Sequence, residues 1–236
     1  MKKFLAISLM AVFCLQCAAF GEDAKDIMKR VREKDENIGK VFKTFRMSYE
    51  KTAPWGFKGT FETLVKGDKK RSNNKSGTLV SDVVFDGKTY WSRFAFGDMV
   101  TKQEKKYYDE NDKGLFGWSK KFNDNVKLTG EEAVGDRKCY IIEGDGGEEH
   151  LKKIWVDKQT LSLIKSTGGN MRLVNSDFKK INEDYEVPMK TDIFKDDKID
   201  MAIVVTILEI DKDIADSVFK VEAKEENNPF EGLFGK

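Results

Sequence analysis

A catalytic or metal-binding role for this chain would have to rest on very few reactive side chains. His150 is the only histidine, in the segment Gly146-Gly147-Glu148-Glu149-His150, which reads as a hairpin loop. An imidazole relay or a metal site needs a partner held beside the ring. Two glutamates in a polar loop are explained by solvation alone. Asp109, Glu110, Asn111 and Asp112 echo a calcium loop, but the glycine and the terminal glutamate that such a loop requires are missing. Carboxylates are abundant, yet no spacing singles out an acid–base pair. No glycine-rich segment joins a strand to a helix as a phosphate loop does, and Gly144-Asp145-Gly146-Gly147 reads as a turn. These residues assign no catalytic group, no cofactor and no metal, and the expectation is a protein that is not an enzyme.

What remains is apolar chemistry. The segment VVFDGKTYWSRF, Val83 to Phe94, reads as a β-hairpin turning at Asp86-Gly87. Asp-Gly between two apolar runs predicts a two-residue type I′ turn. After the turn Tyr90, Trp91, Phe94 and Phe96 fall on both parities of the strand, whereas a half-exposed antiparallel strand alternates apolar and polar. Either both faces of this strand are covered, or one of them lines a space that something else fills.

The elements available to position these groups are one helix and many strands. Ile27, Met28, Val31 and Ile38 recur at roughly helical spacing amid charges, which predicts an amphipathic helix over Asp23–Ile38, stopped by Gly39. Phe45, Met47 and Tyr49 alternate with Arg46, Ser48 and Glu50. Phe57, Phe61 and Val65 repeat that period of two, as do Leu79, Val83 and Phe85. Further strand-like runs are Met99–Tyr107, Val126–Thr129, Lys138–Glu143, Leu151–Val156, Leu161–Lys165, Met171–Phe178, Val187–Phe194 and Ala202–Ile210. Turn clusters such as Gly67-Asp68, Asn73-Asn74, Gly168-Gly169-Asn170 and Asp196-Asp197 separate them. Short strands at regular spacing with no linker predict one domain of ten or eleven antiparallel strands, curved about the helix. The polar stretch Asp109–Asn125 reads as a mobile loop or a short helix.

Composition narrows the setting. Met1-Lys2-Lys3, the apolar run Phe4–Phe20 and the small residues Ala19 and Gly21 predict a cleaved export leader over residues 1–21. The residues before Cys14 and Cys17 do not suit lipidation of either. Beyond the leader, 40 basic residues face 41 acidic ones, and no basic block offers a nucleic-acid footprint. Cys139 is then the only cysteine, so an ordinary core and not a disulfide must stabilise the fold. Residues 22–221 are expected to form the domain, and residues 222–236 a charged, poorly ordered tail.

Three segments carry a resemblance to a known family. SDVVFDGKTYWSRF resembles the strand–Asp-Gly-Lys-Thr–strand signature of the LolA/LolB-like outer-membrane lipoprotein carriers. KKIWVDKQTLSLIKS is similar to a later hairpin of that superfamily. The stretch from Tyr185 through Pro188 to Asp216–Phe219 resembles the end of its lipoprotein-sorting branch. The resemblance implies a mainly β fold, an unclosed antiparallel barrel with a helical lid over a hydrophobic cavity. It implies a periplasmic carrier that moves the acyl chains of lipoproteins, or other lipids, from an inner-membrane exporter to an outer-membrane acceptor. The alternative is a periplasmic accessory or sensor module of the same fold that binds a protein or lipopeptide. A monomer is expected.

On this reading Phe45, Met47, Tyr49, Phe61, Val83 and Phe85 line the cavity, being on the apolar parity of their strands. Trp91 and Trp155 join them on the resemblance. Ile27, Met28 and Val31 form the underside of the lid, and Arg71 stands nearest to an arginine that bonds the lid in LolA-like carriers. Ser72 replaces the proline that follows it in the family. From the residues alone, a solid core filled by the aromatics is an equally good account, and Arg71 reads better as a member of a solvated Lys69-Lys70-Arg71 turn.

Overall fold

The computed structural model describes residues 22–94, 100–103, 118–119, 122, 124–144 and 151–221. The expected leader, His150, the Asp109–Asp112 carboxylates, Phe96 and the tail lie outside them.

Helix α1 spans Ala24–Val41. Asp23 caps it, its Oδ1 accepting the Lys25 amide at 3.2 Å, and the first helical bond closes from Ile27 N to Asp23 O at 3.1 Å. Gly39 does not end the helix, which runs two residues further. The strands are β1 (Thr44–Thr52), β2 (Lys58–Lys66), β3 (Lys69–Ser76), β4 (Leu79–Phe85), β5 (Tyr90–Phe94), β6 (Val100–Gln103), β7 (Val126–Val134), β8 (Arg137–Gly144), β9 (Lys153–Asp157), β10 (Leu163–Gly168), β11 (Met171–Lys180), β12 (Glu186–Lys195) and β13 (Lys198–Ile210), followed by a 3₁₀ turn at Asp216–Phe219.

Among the described residues they form one antiparallel sheet of thirteen strands in the order β6-β5-β4-β3-β2-β1-β13-β12-β11-β10-β9-β8-β7. Every neighbour is a chain neighbour except β1 and β13, which meet in the middle of the sheet. The two strands left at the edges, β6 and β7, are consecutive in the chain. Among the described residues β6 and β7 do not pair, so the sheet is unclosed.

The strand that sequence periodicity misses is β3, KKRSNNKS, which holds no apolar residue. It is a strand because both of its edges are paired, Leu64 to Arg71 on one side and Arg71 to Val84 on the other. Asn73-Asn74, expected to separate strands, lies inside it. The tight turns fall at Gly67 and Gly77, both at φ 58°, where glycine accepts a left-handed backbone at little cost. The turn at Asp86 also differs from expectation. Only Gly87, at φ 98°, has positive φ there. The loop Asp86–Thr89 is closed by the Asp86 carboxylate, which accepts the Lys88 and Thr89 amides at 2.8 Å each. Asp157 does the same for Gln159 and Thr160, at 2.8 and 2.7 Å. The DGKT and DKQT motifs are thus one device, Asp-x-x-Thr. A two-residue turn with φ positive at both positions occurs instead at Asp196 (50°) and Asp197 (59°).

Register fixes the two faces. On the inner face, the side that carries α1, Ala24, Ile27, Met28 and Val31 pack with Phe122, Tyr140, Ile142, Leu151, Ile154, Val156 and Leu163. A second inner cluster joins Phe45, Met47 and Val187, with Tyr49, Val65, Val205, Leu208 and Ile210 against it. On the outer face the C-terminal segment folds back over β2–β4, setting Ile214 and Phe219 on Leu64 and Val84. A further outer cluster gathers Cys139, Trp155 and Ile164; burial pushes the Cys139 thiol up to about 11, which makes it a packing group.

Candidate functional site

Between the two inner clusters the core does not fill. A cavity of about 320 Å³ is left there, walled by Met47, Tyr49 and Lys51 of β1, Ile203 and Val205 of β13, Thr191 and Val187 of β12, Leu173 and Asn175 of β11, and Leu163. Lys34 and Asp35 of α1 and Trp118 border it. Residues 119–124 contribute three bonds to the helix: Arg32 donates to the Asp124 carboxylate at 2.7 Å and to the Phe122 carbonyl at 2.9 Å, and the Ser119 hydroxyl donates to Asp35. The volume is at the small end of the roughly 300–1,000 Å³ of ligand pockets.

One end of the cavity opens into a split in the sheet. β10 pairs with β11 only between Lys165 and Gly168, opposite Met171 to Val174. From Asn175 onward β11 has no partner there, and Phe178, Pro188 and Glu186 line the cavity through the gap. Polar bonds bridge it. Asn175 donates to the Leu163 carbonyl at 2.9 Å, and accepts from the Thr191 hydroxyl at 2.7 Å. Arg137 grips Glu186 with two bonds of 2.6 and 3.0 Å and approaches Asp157 at 3.5 Å, while its guanidinium lies 4.1 Å from the centre of the Phe178 ring. Thr160 donates to the same Glu186 oxygen at 2.7 Å. Burial pushes the Glu186 carboxyl up, but the bonds from Arg137, Thr160 and Ser162 together outweigh it and hold the group below the usual carboxylate range.

Two lysines border the cavity in different states. Burial lowers both ammonium groups. Lys34 donates to the Thr160 carbonyl and lies in the field of Glu186, Asp35, Asp184 and Asp157. Lys51 instead stands over the Phe61 ring at 4.6 Å and the Tyr49 ring at 5.6 Å.

The expected cavity residues divide three ways. Met47 and Tyr49 line the cavity. Phe45 is packed into the adjoining cluster, so the apolar interior is part solid and part hollow. Phe61, Val83 and Phe85 share the inner face by register with Tyr49 but are not on the cavity wall. Phe61 stacks on Tyr49 at 5.2 Å and 8°, and Phe85 on Tyr90 at 4.4 Å. The tryptophans require correction. Trp91 pairs with Val84, which is on the outer face, and its indole donates to Asp86 at 3.3 Å. Trp155 is likewise on the outer face, donating to Glu132 at 2.8 Å beneath the Lys165 ammonium, 4.1 Å from its ring. The aromatics of β5 thus divide between the faces, Tyr90 stacked on Phe85 on the inner one and Trp91 bonded to Asp86 on the outer one.

Arg71 also requires correction. It is in mid-strand and on the outer face, away from α1. Its guanidinium holds Asp82 at 2.9 and 2.8 Å and donates to the Val218 carbonyl at 2.9 Å, so it ties down the C-terminal segment and not the helix. Sequence reasoning missed Leu173, Val187, Ile203 and Val205, although each lies on an alternating run, because a single strand does not reveal which parity faces inward. It also missed Trp118, which had no periodic context.

No family model matches the chain, and no curated protein matches it in sequence. Solved structures do share its architecture. An outer membrane lipoprotein-sorting protein domain from Vibrio parahaemolyticus, 12% identical, matches with a TM-score of 0.53 over 83% of this chain and 95% of its own. A LolA superfamily protein from Nitrosomonas europaea, 13% identical, matches with a TM-score of 0.50 over 82% of this chain and 97% of its own. The chain has the LolA-like fold, an unclosed, mainly β antiparallel sheet curved about a helix.

Proposed function

We propose that this protein binds acyl chains of lipids or lipoproteins in the inner-face cavity and carries them through the periplasm toward the outer membrane. The observation that supports this most directly is the hollow between two packed apolar clusters, walled by Met47, Leu163, Leu173, Val187, Ile203 and Val205. The apolar part of this wall suits hydrocarbon. Each methylene taken from water contributes about 0.8 kcal/mol, so affinity needs no polar chemistry at the wall. The leader read over residues 1–21 would deliver the chain to the compartment where such cargo needs a carrier. The role is binding and transfer, not catalysis.

The test is a titration with a fluorescent fatty-acyl probe, alongside mass spectrometry of organic extracts from gently purified protein. Wild-type protein is expected to bind the probe with a change in tryptophan emission that is lost in Trp118→Phe. Leu173→Asp is expected to weaken binding by at least about tenfold, a charge on the wall costing more than the 1.4 kcal/mol that tenfold represents. Probe binding that is unaffected by Leu173→Asp and by Val205→Asp would sink the assignment.

A further inference from the structure

We propose that Lys51 is the headgroup site of this cavity: its ammonium pairs with the acidic oxyanion, carboxylate or phosphate, of the amphiphile whose acyl chain fills the hollow. The inference rests on the acyl-binding reading above and adds a polarity to it.

Lys51 is the last inward-facing position of β1, at the cavity wall beyond Tyr49 and opposite Ile203. Its stem is half-buried and its ammonium sits over two rings. Among the described residues no carboxylate pairs with it. The neighbouring Glu50 points to the outer face and pairs there with Lys58 at 3.5 Å. The contrast with Lys34 is informative, since the other cavity lysine is satisfied by a carbonyl and surrounded by acids. A cation turned into an apolar wall without an anion is costly, and burial lowers its pKa accordingly. An incoming oxyanion would remove that cost.

The backbone makes room for this arrangement. Gly59 lies directly opposite Lys51 in the register, and a Cβ there would come within 2.9 Å of the Phe61 ring and 3.2 Å of the Lys75 carbonyl. The missing side chain lets Phe61 lean under the ammonium and stack on Tyr49. From Lys51 the wall runs along β1 and β13 through Tyr49 and Val205 to Met47 and Val187. That is the order an acidic head and an apolar tail require.

The experiment displaces the acyl probe with three ligands sharing one chain: oleate, oleoyl lysophosphatidate and oleyl alcohol. They are titrated against wild type, Lys51→Met, Lys51→Arg and, as a control on the outer face, Lys58→Met. Lys51→Met is expected to weaken at least one of the acids by about tenfold, the range of a hydrogen bond to a charged group, and to leave the alcohol unchanged. Lys51→Arg should retain the preference and Lys58→Met should match wild type. The acid that loses more identifies the headgroup. Equal losses for acid and alcohol, or no loss at all, overturn the headgroup site while leaving acyl binding intact. Wild-type protein that binds none of the three overturns both.

Discussion

At the residue scale, the informative groups are those that break the pattern of their surroundings. Ser166 is fully buried between Ile154 and Leu173 on the inner face, and its hydroxyl has no hydrogen-bond partner among the described residues. An unpaired buried hydroxyl costs about 1–3 kcal/mol. Ser166→Ala is therefore expected to raise the stability by about 1 kcal/mol, read from the urea midpoint at unchanged slope; a lower midpoint would show that the hydroxyl is satisfied. Legibility in the sequence failed at this scale for a related reason. Met47 and Tyr49 were identifiable because Arg46, Ser48 and Glu50 between them mark the other face. Trp91 and Trp155 lie in runs apolar on both parities, IWV and YW, and there composition does not say which side a ring takes. What decides is the face that strand pairing imposes, and each indole then bonds what that face offers, Asp86 of the adjoining turn in one case and Glu132 in the other.

At the element scale, α1 divides into two parts. Its first half contributes Ile27, Met28 and Val31, exposed by 0, 0 and 1%, to the largest core cluster. At roughly 1.5–3 kcal/mol each, detaching them would cost a large share of the 5–15 kcal/mol that holds a domain together. The second half carries Lys34 and Asp35 to the cavity rim. We expect amide exchange in residues 24–31 to be as slow as in β8 and β9. Exchange in residues 34–41 should be faster and should slow further when acyl probe binds. Fast exchange along the whole helix would restore a lid that lifts as one body. Arg71 gives the complementary prediction on the other face. Arg71→Met leaves Asp82 unpaired and frees the Val218 carbonyl, so exchange at residues 216–221 should quicken, at a cost of about 1–2 kcal/mol, with α1 unchanged. The helix and most strands were legible because their apolar periods are regular. β3 was not, since its strand character comes wholly from two paired neighbours, and no property of KKRSNNKS itself reports them.

At the scale of the whole molecule, the sheet must curve without closing, and the split beside β11 is where that curvature is bridged. Arg137 on β8 reaches Glu186 on β12, across the three strands that lie between them in the sheet order. The side chain of Glu186 is only 4% exposed and that of Asp157 7%. Removing the guanidinium leaves two buried carboxylates unpaired, a change that typically costs about 3–5 kcal/mol. The pH dependence follows from the sign of the Glu186 shift. In the wild type its pKa is held below the ordinary value near 4.3. The pair's contribution is thus complete above that value and disappears as pH falls through the folded pKa. In Arg137→Met burial is opposed only by the Thr160 and Ser162 hydroxyls, and the carboxyl pKa moves upward, so the variant gains by protonation where the wild type loses. The stability gap between the two, measured by urea unfolding, should accordingly be largest at pH 7 and shrink toward pH 4. Acyl-probe affinity should fall with it, because Glu186 and Phe178, the ring beneath Arg137, both line the cavity. A gap that stays constant across this range would mean that Arg137 acts through its contact with Phe178, and that the charge pair does not hold the split together.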